Sequence, residues 1–271
     1  MTGFPADWLE LREPVDAVSR DPELTAELRA WRQRHGRLSV LDLGSGTGAN
    51  VRFLAPVLGG EQHWLLVDHD PTLLARGDGL PRRWMTERGV DPALEWRLLD
   101  LVHDWERLNP PDVRLVTASA LIDLVSAAWL ERLARSCREW RAAVFITLSY
   151  DGAIVWEPAL AGDERVREWV NRHQRTDKGF GPALGPDASA MLAILLRKLG
   201  YWVMLRPSPW RLGSQHAALQ TALLEGWVEA VRQLDPEAVG WLDDWSAQRR
   251  LLIERGDSRL YVGHWDLFAQ S

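Results

Sequence analysis

The sequence predicts an α/β fold built on a mostly parallel sheet, and three observations predict it. Short apolar runs alternate with stretches of helical periodicity across residues 38–149, the signature of strands covered by helices on both faces. The first of these runs is closed by glycines at every second position, Gly44-Ser-Gly-Thr-Gly48, and a helical pattern follows at once. At 271 residues, 46% hydrophobic and 26% charged, the chain can bury a large core and has neither a disordered nor a fibrous composition.

Up to Gly36 the pattern is helical, with Leu9, Leu11, Val15, Val18, Leu24, Leu28 and Trp31 spaced among charges. Asp21-Pro22 opens a second helix there, with an acid at the cap and proline at the first helical position. Leu38–Leu43 is the first strand, and Asn50 to Leu58 a helix ended by Gly59-Gly60. His63–Asp68 repeats the strand form, Thr72 to Ala75 opens another helix, and Leu94–Leu99 gives a third strand ending at Asp100. Val113–Ala118 is the fourth strand, Trp129 to Arg138 a helix, and Ala142–Leu148 the fifth strand. From Tyr150 to Gly185 the alternation gives way to a polar, glycine-containing stretch that reads as a loop. A helix over Asp187–Leu199, a strand over Tyr201–Leu205, a helical segment over His216–Leu252 and a last strand over Arg259–Leu267 complete the chain. No internal repeat or low-complexity linker divides it, so a single domain with elaborations is expected.

Charge and composition exclude several classes. Thirty-two basic against 38 acidic residues leave a formal charge of -6, which argues against nucleic acid or anionic lipid as a partner. Cys137 is the one cysteine, so there is no internal disulfide or multi-cysteine metal site. With no basic and apolar leader and no apolar stretch near the roughly 18 residues of a membrane span, the protein is expected to be soluble and cytoplasmic, with no membrane contact. Lys178 and Lys198 are the only lysines among many arginines, a codon bias rather than a mechanism. Sixteen tryptophans would suit an aromatic cage, but their scatter from Trp8 to Trp265 favours packing.

The glycines lie where backbone must turn sharply and pass close to a ligand. In Val40-Leu-Asp-Leu-Gly-Ser-Gly-Thr-Gly48 the third glycine comes one residue earlier than in a dinucleotide fingerprint, and Asp42 precedes the loop. Asp68 ends the second strand, where a carboxylate can take both hydroxyls of a ribose; Asp70 is a rival, but Asp68 closes the apolar run directly.

This arrangement resembles motif I of class I S-adenosylmethionine-dependent methyltransferases of the bacterial small-molecule type. The resemblance implies a Rossmann-like methyltransferase fold: a seven-stranded, mostly parallel sheet with an antiparallel last strand, N-terminal helices and a helical insert before that strand. It implies one domain over 1–271, with a helical preface (1–36), a cofactor-binding half (38–149), a substrate loop (150–185) and the insert (213–256). S-adenosyl-L-methionine is the implied cofactor. Gly44, Ser45, Gly46 and Gly48 would pass under its methionine part and Asp42 would orient its ammonium. Asp68 would hold the ribose, Asp100 and the Leu101 N–H the adenine, and Ser119 with Ala120 would line the methyl. Arg12 or Arg20 of the preface would meet the carboxylate, with Arg20 the named candidate, while Asp123 is expected to cap or face the next helix.

Methyl transfer needs an in-line nucleophile about 3 Å from the sulfonium methyl, with positioning and exclusion of water supplying most of the rate. Tyr150 and Asp151, after the fifth strand, fall on the sheet's carboxyl edge, and Asp151 can orient or deprotonate a hydroxyl or amine. His173, in the polar stretch that follows, is a candidate base, and Arg211 beside Trp210 a candidate anion clamp. His216 and His264 have no partner at ligand spacing, so no metal is expected. The expected activity is methyl transfer to a small metabolite in a monomer or homodimer. A non-catalytic S-adenosylmethionine-binding protein and, further off, an NAD(P)-dependent oxidoreductase are the alternatives. The absence of an Asn-Pro-Pro-Tyr motif weighs against a base-flipping enzyme. Leu219, Leu223, Leu224, Trp227, Val228, Val231 and Leu234 make one apolar stripe, expected to pack as a lid over the carboxyl edge, or else to form a dimer interface.

Overall fold

The computed structural model describes residues 5–80, 83–108, 110 and 112–271; the first four residues of the preface lie outside them. Two helices come first, α1 (Ala6–Ser19) and α2 (Pro22–Arg32). The Asp21 carboxylate caps α2 by accepting from the Leu24 N–H at 2.8 Å, as its place before a proline predicts. The alternating half follows as β1 (Leu38–Leu43), α3 (Ala49–Leu58), β2 (Gln62–Asp68), α4 (Pro71–Gly79), α5 (Arg83–Arg88), β3 (Ala93–Leu98), β4 (Leu115–Ser119), α6 (Ala127–Trp140) and β5 (Ala143–Glu157). Then come α7 (Asp163–Gln174), α8 (Ala188–Lys198), β6 (Trp202–Pro207), β7 (Trp210–Leu212), α9 (Ala217–Leu234), α10 (Val239–Glu254) and β8 (Arg259–Gln270).

The sheet runs β3-β2-β1-β4-β5-β8-β6, with β7 pairing β8 off this path. The first five strands are mutually parallel, and β8 is antiparallel to β5, β6 and β7. This is the expected order with its inserted antiparallel last strand. It has eight strands rather than seven, because Trp210–Leu212 pairs with Leu260–Val262; three residues are too short to show a period-two pattern.

The stretch 150–185 is a loop only in part, outside β5 and α7. After bulges between Ile146 and Ser149 and between Tyr150 and Ile154, β5 continues to Glu157 against β8, burying Ile154 and Trp156 while Val155 stays outside. Helix α7 escapes a hydropathy reading because it buries only Val166 and Val170, one turn apart. At the first bulge Leu148 has φ of 56°, an uncommon conformation for a branched side chain. Its N–H donates to the buried Asp266 at 2.8 Å. The same carboxylate accepts from the Ser208 hydroxyl at 2.6 Å and the Asp21 N–H at 2.9 Å, so one β8 residue ties β5, the β6–β7 connection and the α1–α2 junction together.

Apolar side chains gather on both faces of the parallel sheet, with α6 and α8 on one side and α2 and α3 on the other. A third cluster lies where the far ends of β5, β7 and β8 meet α7, α9 and α10. Leu219, Leu224, Trp227, Val228 and Val231 are buried in it, so the stripe is covered within the chain. Tryptophans pack in these clusters, Trp156 for instance meeting Trp227 and Trp245 edge to face, while Trp202 is half exposed. No helix among the described residues is long and apolar enough to cross a membrane.

Candidate functional site

The loop between β1 and α3 is built from residues in left-handed conformations. Gly44, Gly46 and Gly48 have φ of 63°, 51° and 81°, which explains the alternating spacing. A Cβ on Gly46 would also lie 3.1 Å from Leu9 of α1, so α1 lies across this loop. The Ser45 N–H donates to Val67 O at 2.9 Å and the Gly48 N–H to Ser45 O at 2.8 Å. Asp68, at the end of β2, accepts the Gly46 N–H at 2.8 Å and the Asp70 N–H at 3.0 Å. The two acids weighed in the sequence therefore divide the work: Asp68 faces the glycine loop, while Asp70 caps α4 through the N–H groups of Thr72 and Leu73.

Asp42 is 1% exposed. One of its oxygens accepts from Asn50 Nδ2 at 2.7 Å, while Oδ2 is buried without a partner. Burial raises this carboxyl to about 7, against the opposing Asn50 bond and the Arg20 charge. Asn50 also donates to Thr117 Oγ1 at 2.9 Å and accepts from Arg20 Nη1 at 2.7 Å. Arg20 lies over the Phe53 ring at 4.4 Å, and burial lowers its pKa although Asp266, Asp16 and Asp42 oppose the shift. It reaches Asp42 through Asn50, a residue the sequence reading passed over and whose place on the first turn of α3 was the available signal. Beside Arg20 a cleft of about 420 Å³ opens between α1, α2 and α3, its lining including Arg29, Arg52 and Arg88. The hydroxyl of Ser45 is, like Asp42 Oδ2, buried and unpartnered. Buried polar atoms are nearly always satisfied, so a carboxylate oxygen and a hydroxyl left open at a glycine loop fit a ligand that brings an ammonium or hydroxyl group.

Asp100 follows β3, the strand paired with β2. Its carboxylate accepts from the N–H groups of Val102 and His103, at 2.7 and 3.2 Å, and from His103 Nδ1 at 2.9 Å. Burial pushes this carboxyl up, but the His103 and backbone bonds outweigh it and hold it below the usual carboxylate range. Leu101 is buried and its carbonyl accepts from Trp129 Nε1 at 2.9 Å. Ser119 ends β4, next to Ala120 with φ of 51°. Asp42, Asp68, Asp100 and Ser119 thus stand at or just beyond the carboxyl ends of four neighbouring strands, the edge where open α/β sheets take ligands.

The three residues expected to carry chemistry have different partners. The Tyr150 hydroxyl donates to Asn171 of α7 at 2.8 Å, and burial pushes its pKa well up. Asp151 accepts the Ala153 N–H at 2.8 Å, lies against Gly263 of β8, and is raised by burial. His173 sits on α7, with Gln233 at 2.9 Å from Nε2 and the Lys178 ammonium at 3.2 Å from Nδ1; burial lowers its basicity, and Lys178 adds to this. Arg211 stacks on Tyr261 at 5.2 Å. Among the described residues no group of three or more His, Cys, Asp or Glu could hold a metal ion.

No protein-family model and no curated protein matches the chain. Among solved structures, the cyclopropane synthase MmaA2 from Mycobacterium tuberculosis is similar at 13% identity and a TM-score of 0.49, over 98% of this chain and 95% of that one. A SAM-dependent methyltransferase from Geobacter sulfurreducens, in complex with S-adenosyl-L-homocysteine, is similar at 19% identity and a TM-score of 0.46, over 99% and 98%. Its counterpart from Thiobacillus denitrificans, with the same ligand, is similar at 17% and 0.45, over 99% and 98%. The fold rests on the strand order itself, and the chemistry on this chain's own residues.

Proposed function

We propose that the protein binds S-adenosyl-L-methionine and transfers its methyl group to a small molecule. One observation carries the reading: a left-handed glycine loop held by Asp68 stands beside a buried Asp42 whose second oxygen has no partner. Such an oxygen accepts an ammonium, and Gly44, Ser45, Gly46 and Gly48 leave backbone rather than side chains along the approach. Asp68 retains acceptor capacity for ribose hydroxyls beyond its two loop bonds, because a carboxylate has about four acceptor positions. Asp100 and the Leu101 N–H serve an adenine, Ser119 lines the methyl side, and Arg20 supports Asp42 through Asn50. When bound, the cofactor supplies an already activated sulfonium methyl, so the chain's task is to position an acceptor and exclude water. Tyr150 and Asp151 lie on the acceptor side; His173, tied to Gln233 and Lys178, belongs to the rim. Residues 1–271 act as one domain, since β5 and β8 run through both the parallel half and the helical cap formed by α7, α9 and α10, and α1 lies across the glycine loop. A cytoplasmic site of action follows from the same reading.

Calorimetry with S-adenosylhomocysteine, NADH and NADPH tests this directly. Binding of the first alone is expected, together with label transfer from methyl-tritiated cofactor to a small-molecule fraction. Binding of a nicotinamide cofactor in its place overturns the proposal, and cofactor binding without any transfer returns the non-catalytic alternative.

A further inference from the structure

Resting on that reading, we propose that Asp123 is the proton acceptor of the transfer site and that its acceptor substrate carries a hydroxyl or amine hydrogen. Asp123 lies on the short turn Ile122–Leu124 directly after β4, beyond Ser119 on the same sheet edge. It is 7% exposed, and its Oδ1 is buried without a partner. The antiparallel register of β8 places His264 opposite Tyr150. His264 is 5% exposed and its Nδ1 is likewise unpartnered. Its ring centroid lies 4.8 Å from that of Trp210 and 6.4 Å from that of Tyr150. Arg12 of α1 packs over Trp210 at 5.0 Å and is the charged neighbour of both Asp123 and His264. Asp16, one turn on, holds this wall by accepting from Arg12 Nε at 2.8 Å and Trp210 Nε1 at 3.0 Å.

A buried carboxylate oxygen on the turn after Ser119 and a buried ring nitrogen opposite Tyr150 are thus both open. The open oxygen only accepts when ionised, so what completes it must donate an O–H or N–H, a group that a plain alkene does not offer. The charged and titratable groups that interact with it are Arg12 from α1 and Tyr150 from β5; Tyr150 in turn feels Asp151, Arg167 and Arg175, and Arg12 also acts on His264 of β8. Burial raises Asp123 to about 6, against the opposing bond from its own backbone N–H, the Arg12 charge and the Tyr150 N–H, a basicity suited to taking a proton near neutral pH. Burial lowers His264 to about 3, so its imidazole is neutral there and orients the acceptor. In the step, a lone pair on the acceptor oxygen or nitrogen forms the bond to the methyl carbon. The carbon–sulfur bond breaks with its electron pair passing to sulfur, and the acceptor's proton passes to Asp123, which releases it to solvent.

The test compares wild type with Asp123→Asn, which keeps shape and one acceptor oxygen. Methyl-tritiated cofactor is offered with a panel of phenols, alcohols and amines, and with alkenes as carbon acceptors. The expected result is unchanged affinity for S-adenosylhomocysteine in calorimetry and transfer to a protic acceptor reduced by about 10²–10⁴-fold. The loss should fall in kcat rather than KM, and the wild-type limb, rising with pH through about 6, should be absent from the variant. Transfer by Asp123→Asn at the wild-type rate, or a methyl delivered to carbon, overturns this assignment and leaves the methyl-transfer reading standing. A wild type that binds no S-adenosylhomocysteine overturns both. Without any acceptor, carbon-13 NMR of aspartate carboxyls in the S-adenosylhomocysteine complex, with Asp123 assigned by its loss in the variant, reads the same point. A midpoint near 6 supports the proposal, and one in the ordinary carboxylate range overturns it.

Discussion

Replacing Asp42 by Asn should change how the protein's stability depends on pH, by an amount the burial of the carboxyl sets. Its ordinary pKa of 3.8 is raised to about 7 in the folded chain, first by burial, with the Asn50 bond and Arg20 only partly offsetting this. Below the ordinary value both folded and unfolded chains carry the proton and there is no penalty. As pH rises between the two values, the unfolded chain ionises while the folded carboxyl holds its proton, so stability falls; above the folded value both are ionised and the slope ends. A shift of roughly 3 units at about 1.36 kcal/mol each gives about 4 kcal/mol at most. Asp123, which titrates in the same sense, and His264, which titrates in the opposite one, are common to both proteins, so the quantity to read is the difference between wild type and variant. Urea unfolding from about pH 4 to about pH 8 should find the two alike at the acid end and the Asp42→Asn variant gaining on wild type by up to about 4 kcal/mol toward neutrality. Saturating S-adenosylhomocysteine, whose ammonium would meet the open oxygen, should shrink that gain, because a neighbouring cation favours the ionised form. Parallel stability curves for the two proteins would refute the buried, underpartnered state of Asp42 from which the cofactor assignment starts.

Asp68→Ala should weaken S-adenosylhomocysteine binding by roughly 1–3 kcal/mol, about 5- to 150-fold, with the circular dichroism spectrum unchanged; equal affinity in calorimetry removes Asp68 from the site. In the cap, Arg249 is fully buried and pairs with Asp163, which also accepts from Trp245 Nε1 at 2.8 Å. Arg249→Ala should therefore cost about 3–5 kcal/mol and lower Tm by roughly 10 °C, while the double variant Asp163→Leu, Arg249→Met regains most of the loss. A single variant melting within a degree or two of wild type denies the pair that weight. His264→Gln should flatten the acid side of the stability curve: wild type loses stability as pH falls from 6.5 toward about 3, because the unfolded imidazole takes a proton that the buried one refuses. An acid limb unchanged by this substitution would place His264 in solvent. Hydrogen exchange should slow in α1 on binding S-adenosylhomocysteine, since Leu9 lies over Gly46; added protection in α9 and α10 marks the cap as a lid, and protection confined to α1 assigns the cover to that helix alone.

Where the fold was legible, a local physical rule acted alone. Glycines at alternate positions announced left-handed backbone, Asp21-Pro22 announced a helix start, and β1, β2 and β4 showed as apolar runs because both their faces are covered. Where it was not, the pattern depended on a distant partner. The outer half of β5 is a strand because Arg259–Val262 of β8 pairs with it, and β7 exists only as an addition to the same partner. Polar residues on α7 describe its solvent face, while two valines are all that it buries fully.

The same division runs through the site. Asp42, Asp68 and Asp100 sit next to the strand ends that identify them, so each can be picked out by counting from a glycine or an apolar run. Asp123 and His264 cannot, because the neighbourhood of each is made by tertiary structure. Asp123 follows β4 in a segment that reads equally well as a helix cap, and His264 stands in the middle of a strand, where a lone histidine reads as packing. Only the insertion of β8 between β5 and β6 brings that strand beside the parallel half, and only its register sets His264 opposite Tyr150. What then separates them from packing is a hydrogen-bond account: Asp266, equally buried on the same strand, spends its oxygens on Leu148, Ser208 and Asp21, whereas Asp123 Oδ1 and His264 Nδ1 spend theirs on nothing within the chain. A buried polar group with all its bonds made is explained by the fold, and one left open at the proposed site is what a bound ligand would complete.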